Sequence, residues 1–176
     1  MKAAAGSVLI SASDIQQRVA EMGARLSEDY RDRAITVVGI LKGSVIFIAD
    51  LIRQIDPGIP IELEFMTVSS YGDSTSSSGN LRIAQDLDAP VDGKDVLLVE
   101  DIVDTGLTIA RVRDLLASRG ARTIRIAALL DKQSKRKYPL DVDYVGFTIP
   151  DKFVVGYGLD YAQRYRNLKE IRVLDA

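Results

Sequence analysis

The chain of 176 residues contains no histidine and no cysteine. Without cysteine there is no disulfide framework, no thiol nucleophile, no thiolate zinc site and no iron–sulfur cluster. Without histidine there is no Ser-His-Asp triad, no HExxH metalloprotease and no imidazole proton shuttle. A strong charge of either sign is missing too. The 23 basic and 25 acidic side chains leave a net charge of −2, without the electrostatic footprint of a dedicated nucleic-acid binder. Apolar runs are short, as at Val45 to Ala49 and Ala127 to Leu130, against the roughly 20 residues that span a bilayer. The stretch from Lys2 to Ile10 is diluted by Ala, Gly and Ser and lacks the three-region form of a secretory signal. The chain reads as a soluble, cytoplasmic protein with one domain over residues 1–176.

What remains is 47% hydrophobic residues, enough for a core, and a restricted chemical kit. Any chemistry uses carboxylates, Lys, Arg, hydroxyls, backbone amides and bound metal. A metal held by oxygen ligands is Mg²⁺, Ca²⁺ or Mn²⁺ rather than zinc.

Periodicity organises the chain into alternating elements. Ile15, Val19, Met22 and Leu26 share one helix face, with Ser13 and Gln16 as a capping box. Ala34 to Leu41 is β-branched and apolar on both faces, as a buried parallel strand is. Ser44 caps a second helix reaching Ile55, and Ile61 to Phe65 alternates as a strand. Asp95 to Val99 is another buried strand, a helix from Ile109 stops at Gly120, and Thr123 to Leu130 is a further strand. Shorter strand-like pieces follow at Val142 to Thr148, Phe153 to Tyr157 and Ile171 to Leu174. Ser69 to Asn80 breaks the pattern: six of its twelve residues are Ser and two are Gly, which predicts a mobile lid loop.

Strands alternating with helices predict an α/β fold, a parallel sheet covered on both faces. Ligands then bind beyond the carboxyl ends of the strands. Lys42-Gly43, Glu100 to Thr108 and Asp131-Lys132 all fall there.

The segment Val99-Glu-Asp-Ile-Val-Asp-Thr-Gly-Leu-Thr108 carries the clearest chemistry. A strand delivers Glu100 and Asp101, and Asp104 to Thr108 then turns into a helix N-terminus, where free amides attract a phosphate. Gly106 permits close backbone approach, while Thr105 and Thr108 offer hydroxyls. Acids beside a phosphate cradle make sense if they face ribose hydroxyls or Mg²⁺ on the same ligand. A Walker-type ATPase is excluded by the absence of its Gly-x4-Gly-Lys-Ser/Thr loop.

This segment resembles the phosphoribosyl-pyrophosphate loop of type I phosphoribosyltransferases. The match extends over Leu41-Lys-Gly-Ser44, Ser70-Tyr71, Asp131-Lys132 and Val145 to Arg166. The stretch Pro-Asp-Lys-Phe-Val-Val-Gly-Tyr-Gly-Leu-Asp-Tyr161 is similar to the hypoxanthine (hypoxanthine-guanine) branch, which acts on 6-oxopurines.

The resemblance implies a parallel-sheet core with a small hood from the chain ends. It implies transfer of the 5-phosphoribosyl group from phosphoribosyl pyrophosphate to N9 of hypoxanthine or guanine, in purine salvage, with Mg²⁺. The backbone of Asp104, Thr105, Gly106, Leu107 and Thr108 would hold the 5-phosphate, and Leu107 would contribute only its amide. Glu100 and Asp101 would face the ribose and one Mg²⁺, and Asp160 a second. Asp104 would be the general base near purine N7, given a pKa raised by burial beside Glu100 and Asp101; by itself it also suits a helix N-cap. Lys42 and Gly43 match the pyrophosphate loop, with a cis 41–42 peptide, and Arg166 a further pyrophosphate contact. Lys132 would donate to the purine 6-oxo group, leaving the rest of the basic run Lys132 to Lys137 as surface. Phe153 would stack on the base and Val154 read its edge through a carbonyl. Ser70 and Tyr71 would open the lid. Relatives form homodimers or homotetramers, and the helix with Val45, Ile46, Phe47 and Ile48 either supplies an interface or packs on the sheet. The alternatives are a regulator of this fold that binds nucleic acid, and a xanthine-preferring phosphoribosyltransferase.

Overall fold

The computed structural model describes residues 6–70 and 81–174. Its elements in chain order are β1 (Val8–Ile10), α1 (Ala12–Asp29), β2 (Ile35–Leu41), α2 (Val45–Ile52), β3 (Ile61–Ser70) and β4 (Leu81–Gln85). They continue with β5 (Asp95–Val103), α3 (Leu107–Ser118), β6 (Thr123–Asp131), β7 (Tyr144–Thr148), β8 (Val154–Val155) and β9 (Ile171–Val173).

Six strands form the main sheet in the order β4-β3-β2-β5-β6-β7. All neighbouring pairs are parallel except β3 with β4, at the edge. The expected α/β architecture is present. Successive residues of each central strand face opposite sides, and the two faces build separate cores. Val37, Leu97, Val99 and Leu129 pack with α1 and α2 through Ile15, Val19, Leu26, Phe47 and Leu51. Val38, Leu98, Ile126 and Ala128 pack with α3 through Ile109, Val112 and Leu116. A second sheet, β1-β9-β8, is antiparallel and forms the expected hood from residues far apart in sequence.

Several boundaries differ from expectation. Helix α1 starts at Ala12, because Ser11 rather than Ser13 accepts from the Asp14 amide at 3.1 Å and donates to the Asp14 carboxylate. Helix α2 ends at Ile52, three residues short of Ile55. Ser44 precedes it without a capping bond, since its hydroxyl donates back to the Ile40 carbonyl. Within α2, Phe47 and Ile48 are buried, whereas Val45 and Ile46 are exposed. Ser69 and Ser70 belong to β3, not to a loop, and are paired with Arg82 and Leu81 of β4. The remainder of the expected lid, including Tyr71, lies outside the described residues.

Strands β2 and β5 define where the sheet opens a crevice. From β2 the chain moves outward to β3 and β4, then returns to β5 on the other side of β2. This is the topological switch point of the sheet, and crevices form at the carboxyl ends of such strands. The last β2–β5 pair is Gly39 with Val99, although β2 stays paired with β3 as far as Leu41 and Thr67. Beyond Val99 the two strands part, and Glu100 and Asp101 occupy the opening.

Candidate active site

Strand β5 runs through Glu100 and Asp101 and pairs with β6 to Val103, so both acids sit on rigid sheet rather than on a loop. Burial pushes the Glu100 carboxyl well up, reinforced by the adjacent Asp101 charge. Burial also pushes up Asp101, which is only 9% exposed. Asp101 presses against the turn after β2: a Cβ at residue 43 would lie 1.6 Å from Asp101 Oδ2, so only glycine fits there. The Leu41–Lys42 peptide is cis, as expected.

The turn from β5 to α3 depends on Gly106, whose φ of +85° lies in the left-handed region. Gly106 is itself the N-cap and supplies no side chain, so Asp104 does not cap the helix. Thr105 Oγ1 accepts from the Leu107 amide at 3.3 Å. The amides of Gly106, Thr108 and Ile109 have no acceptor among the described residues, leaving a set of orphan donors at the positive end of α3. They border a cavity of about 270 Å³ lined by Glu100 and residues 102–109, with Ile40 and Val68.

A second cavity of about 320 Å³ shares Ile102 and Asp104 with the first. Lys42, Gly43, Asp101, Lys132, Phe153, Val154, Asp160 and Arg166 line it. Three strand ends and the hood therefore deliver the residues singled out in the sequence to two adjoining hollows. Ser70 lies at the end of β3.

Charge is arranged unevenly around this cleft. Asp104 is half-exposed, contrary to the burial expected for it; Asp101, which β5 carries inward, is buried instead, and Glu100 is partly buried. Lys132 is 7% exposed, with Nζ 4.0 Å from Asp104 and 3.8 Å from Asp151. Asp151 also holds Lys135 at 2.9 Å. This second carboxylate beside Lys132 was given no role in the sequence, where Asp151 stands only as part of the Pro-Asp-Lys-Phe stretch. Phe153 is 54% exposed and meets Tyr161 edge to face, with ring centroids 5.8 Å apart. Its own carbonyl already accepts from the Leu174 amide at 2.9 Å. Arg166 donates to Asp160 at 2.8 Å and to the Gly158 carbonyl at 2.7 Å, tying the end of the hood to the cleft.

Among the described residues, no three acidic side chains gather into a metal cluster, so Glu100, Asp101 and Asp160 do not converge on one ion. Glu100 and Asp101 form an adjacent pair of oxygen donors whose carboxyls desolvation pushes up, Glu100 further so by the Asp101 charge beside it. Such a pair suits Mg²⁺, which is commonly bound by one or two carboxylates plus substrate oxygens.

Comparison with known proteins defines the class. The phosphoribosyl transferase domain family matches residues 11–162, and the chain belongs to that family. A hypoxanthine-guanine phosphoribosyltransferase of Bacillus subtilis is 53% identical over 95% of this chain and 92% of its own length. A hypoxanthine phosphoribosyltransferase of Haemophilus influenzae is 51% identical over 92% of this chain and 90% of its own. The crystal structure of a Staphylococcus aureus hypoxanthine phosphoribosyltransferase superposes with a TM-score of 0.91, at 46% identity, covering 96% of this chain and 91% of that one.

Proposed function

We propose that this chain transfers the 5-phosphoribosyl group from phosphoribosyl pyrophosphate to N9 of hypoxanthine or guanine. IMP or GMP forms, and pyrophosphate is released. The observation that carries the reading is the adjoining pair of cavities. One is lined by free amides at the N-terminus of α3, the other by an exposed aromatic ring and a buried lysine, and Asp104 lies on their shared wall.

In this reading the backbone of residues 104–108 binds the 5-phosphate, chiefly through the free Gly106 and Thr108 amides, while the Leu107 amide is held by Thr105. Lys42, Gly43 and Arg166 bind the pyrophosphate. Phe153 stacks on the purine and a carbonyl of Val154 reads its edge. Lys132 donates to the 6-oxo group. That contact rejects adenine, whose amino group cannot accept it, and such donor-based discrimination is steep. Lys132 is pre-set for the task, nearly buried and steered by Asp104 and Asp151. Asp104 holds or accepts the purine N7 proton as N9 bonds to the ribose C1 and the bond to pyrophosphate breaks. Its exposure on the cavity wall suits a proton acceptor that must reach the base. Glu100 and Asp101 orient the ribose hydroxyls and hold Mg²⁺, with Asp160 beside a second ion. Mg²⁺ supplies charge neutralisation of the pyrophosphate when bound. Ser70 and Tyr71 begin the segment that excludes water from an oxocarbenium-like transition state.

The exposed Val45 and Ile46 on α2 fit a homodimer or homotetramer, which light scattering measures directly. No helix among the described residues is long and apolar enough to cross a membrane, which accords with a cytoplasmic enzyme.

The deciding experiment is a competition assay with Mg²⁺ and phosphoribosyl pyrophosphate over hypoxanthine, guanine, xanthine, adenine and uracil. Nucleotide formation from hypoxanthine or guanine, with adenine and uracil inert, is the expected result. No product from either 6-oxopurine would sink the reading.

A further inference from the structure

The run from Lys132 to Lys137 reads as a solvated basic face, yet one member has turned inward. The Arg136 side chain is 17% exposed, and its guanidinium grips the carboxylate of Asp131 at the carboxyl end of β6. Asp131 is itself 3% exposed. Another nitrogen of the same guanidinium donates to the Leu140 carbonyl at 2.9 Å. The aliphatic stem lies on the turn that begins α3: a Cβ at residue 106 would come within 2.9 Å of Arg136 Cδ. The amides of the next two residues, Lys137 and Tyr138, both donate to the Thr105 carbonyl, at 3.0 and 3.2 Å. Arg136 lines neither cavity of the site. It borders a separate hollow of about 310 Å³ with Asp131, Gln133 and Leu140.

A trans peptide points its C=O and N–H in opposite directions. Two donors that fix the Thr105 carbonyl toward residues 137 and 138 therefore turn the Gly106 N–H away from them. The orientation of one peptide sets the start of the orphan-amide array on α3. Arginine suits the anchoring task because its planar fork reaches a carboxylate and a carbonyl together, which a lysine ammonium does not reproduce.

We infer that the Arg136–Asp131 pair is a positioning device for the 5-phosphate of the substrate. It holds residues 136–138 behind the turn so that the Thr105–Gly106 peptide presents its amide to the ligand. This rests on the proposed role of the α3 amides as the phosphate site. Arg136 touches no substrate; it acts through Thr105 and Gly106.

The test combines steady-state kinetics with ³¹P NMR of bound IMP on the full chain and its variants. Arg136→Met keeps most of the stem and removes the ion pair. It is expected to raise KM for phosphoribosyl pyrophosphate about tenfold while KM for hypoxanthine moves less than about twofold. The ³¹P signal of bound IMP moves toward its free position. Asp131→Asn shifts the same readings in the same direction, and Arg136→Lys recovers part of the loss. If Arg136→Met does not fold, Arg136→Lys and Asp131→Asn carry the comparison. Equal rises in both Michaelis constants, or an unchanged ³¹P signal in the variants, overturn the inference. A wild-type chain whose addition leaves the IMP ³¹P signal unmoved overturns the phosphate reading itself, a failure distinct from variants that match a responsive wild type.

Discussion

Strand β5 buries carboxylates at both ends and treats them in opposite ways. At its start, Asp95 is 2% exposed and fully answered: Arg122 reaches both its oxygens, at 3.0 and 2.6 Å, and Thr123 donates at 2.7 Å. The Arg122 hydrogen bonds hold the Asp95 carboxyl at a pKa of about 2 against desolvation. At its far end, Asp101 is buried and Glu100 beside it partly so, with both carboxyls pushed up rather than down. A buried charge without a partner opposes folding. One end of the strand therefore stabilises the sheet, and the other carries two carboxyls whose ionisation burial opposes.

Substitutions separate the two ends. Asp104→Asn is expected to lower turnover about 10²- to 10⁴-fold, the usual span for a lost general acid–base group. Its melting temperature stays that of the parent, because Asp104 is half-exposed and caps nothing. Calorimetry beside steady-state kinetics reads both quantities. Glu100→Gln with Asp101→Asn is expected to cut activity by about 10²-fold, within the range for removing electrostatic stabilisation. The same double variant melts no lower than the parent, since it removes two carboxyls whose ionisation burial already opposes. A large fall in its melting temperature would erase the contrast between the ends.

Asp95→Asn acts the other way. A pKa held at about 2 rather than 3.8 corresponds to about 2 kcal/mol of stability at neutral pH. Denaturant titration should register that loss while activity per folded molecule is unchanged. Because the folded-state pKa is depressed, this stabilisation is complete above about pH 4 and disappears as pH falls toward 2. Acid titrations of the parent and of Asp95→Asn should therefore converge toward pH 2. Parallel curves would assign the stability to another group. The smallest effect is expected from Tyr144→Phe, also at the amino-terminal edge. There the hydroxyl donates to Asp29 at 2.6 Å and accepts from Arg125 at 2.8 Å. The loss is about 1 kcal/mol, the net value of an ordinary hydrogen bond, with no change in KM.

The sequence was most legible where local pattern and tertiary role coincide. The β-branched runs of β2, β5 and β6 are continuous because both faces of these strands are covered, and the polar breaks at their ends mark the side where the two cavities open. It was least legible where a strand depends on a distant partner. Residues 8–10 look like a diluted apolar stretch, yet Val8 pairs with Arg172, a contact that no local window contains. Leu81–Gln85 follows the serine-rich segment with weak alternation and becomes a strand only as the antiparallel edge beside β3. Burial was equally hidden. Charge density alone marks Arg136 as surface, and only the position of Asp131 turns it inward. Asp104, Glu100 and Asp101 lie within five residues, and the sequence could not say which would be exposed. Sheet geometry decides: Glu100 and Asp101 lie inside β5, while Asp104 lies past its end.

The pairing of β1 with β9 has a consequence for the order of synthesis. The Val173 amide donates to the Ser7 carbonyl and the Leu174 amide to the Phe153 carbonyl, both within the strands of the hood or beside them. A nascent chain completed only to residue 170 already contains β2, β5 and α3, and hence the acidic turn with its amides. It has no β9, so β1 and β8 lack the strand that pairs with both of them. The turn from β5 to α3 is thus present before the hood sheet can form.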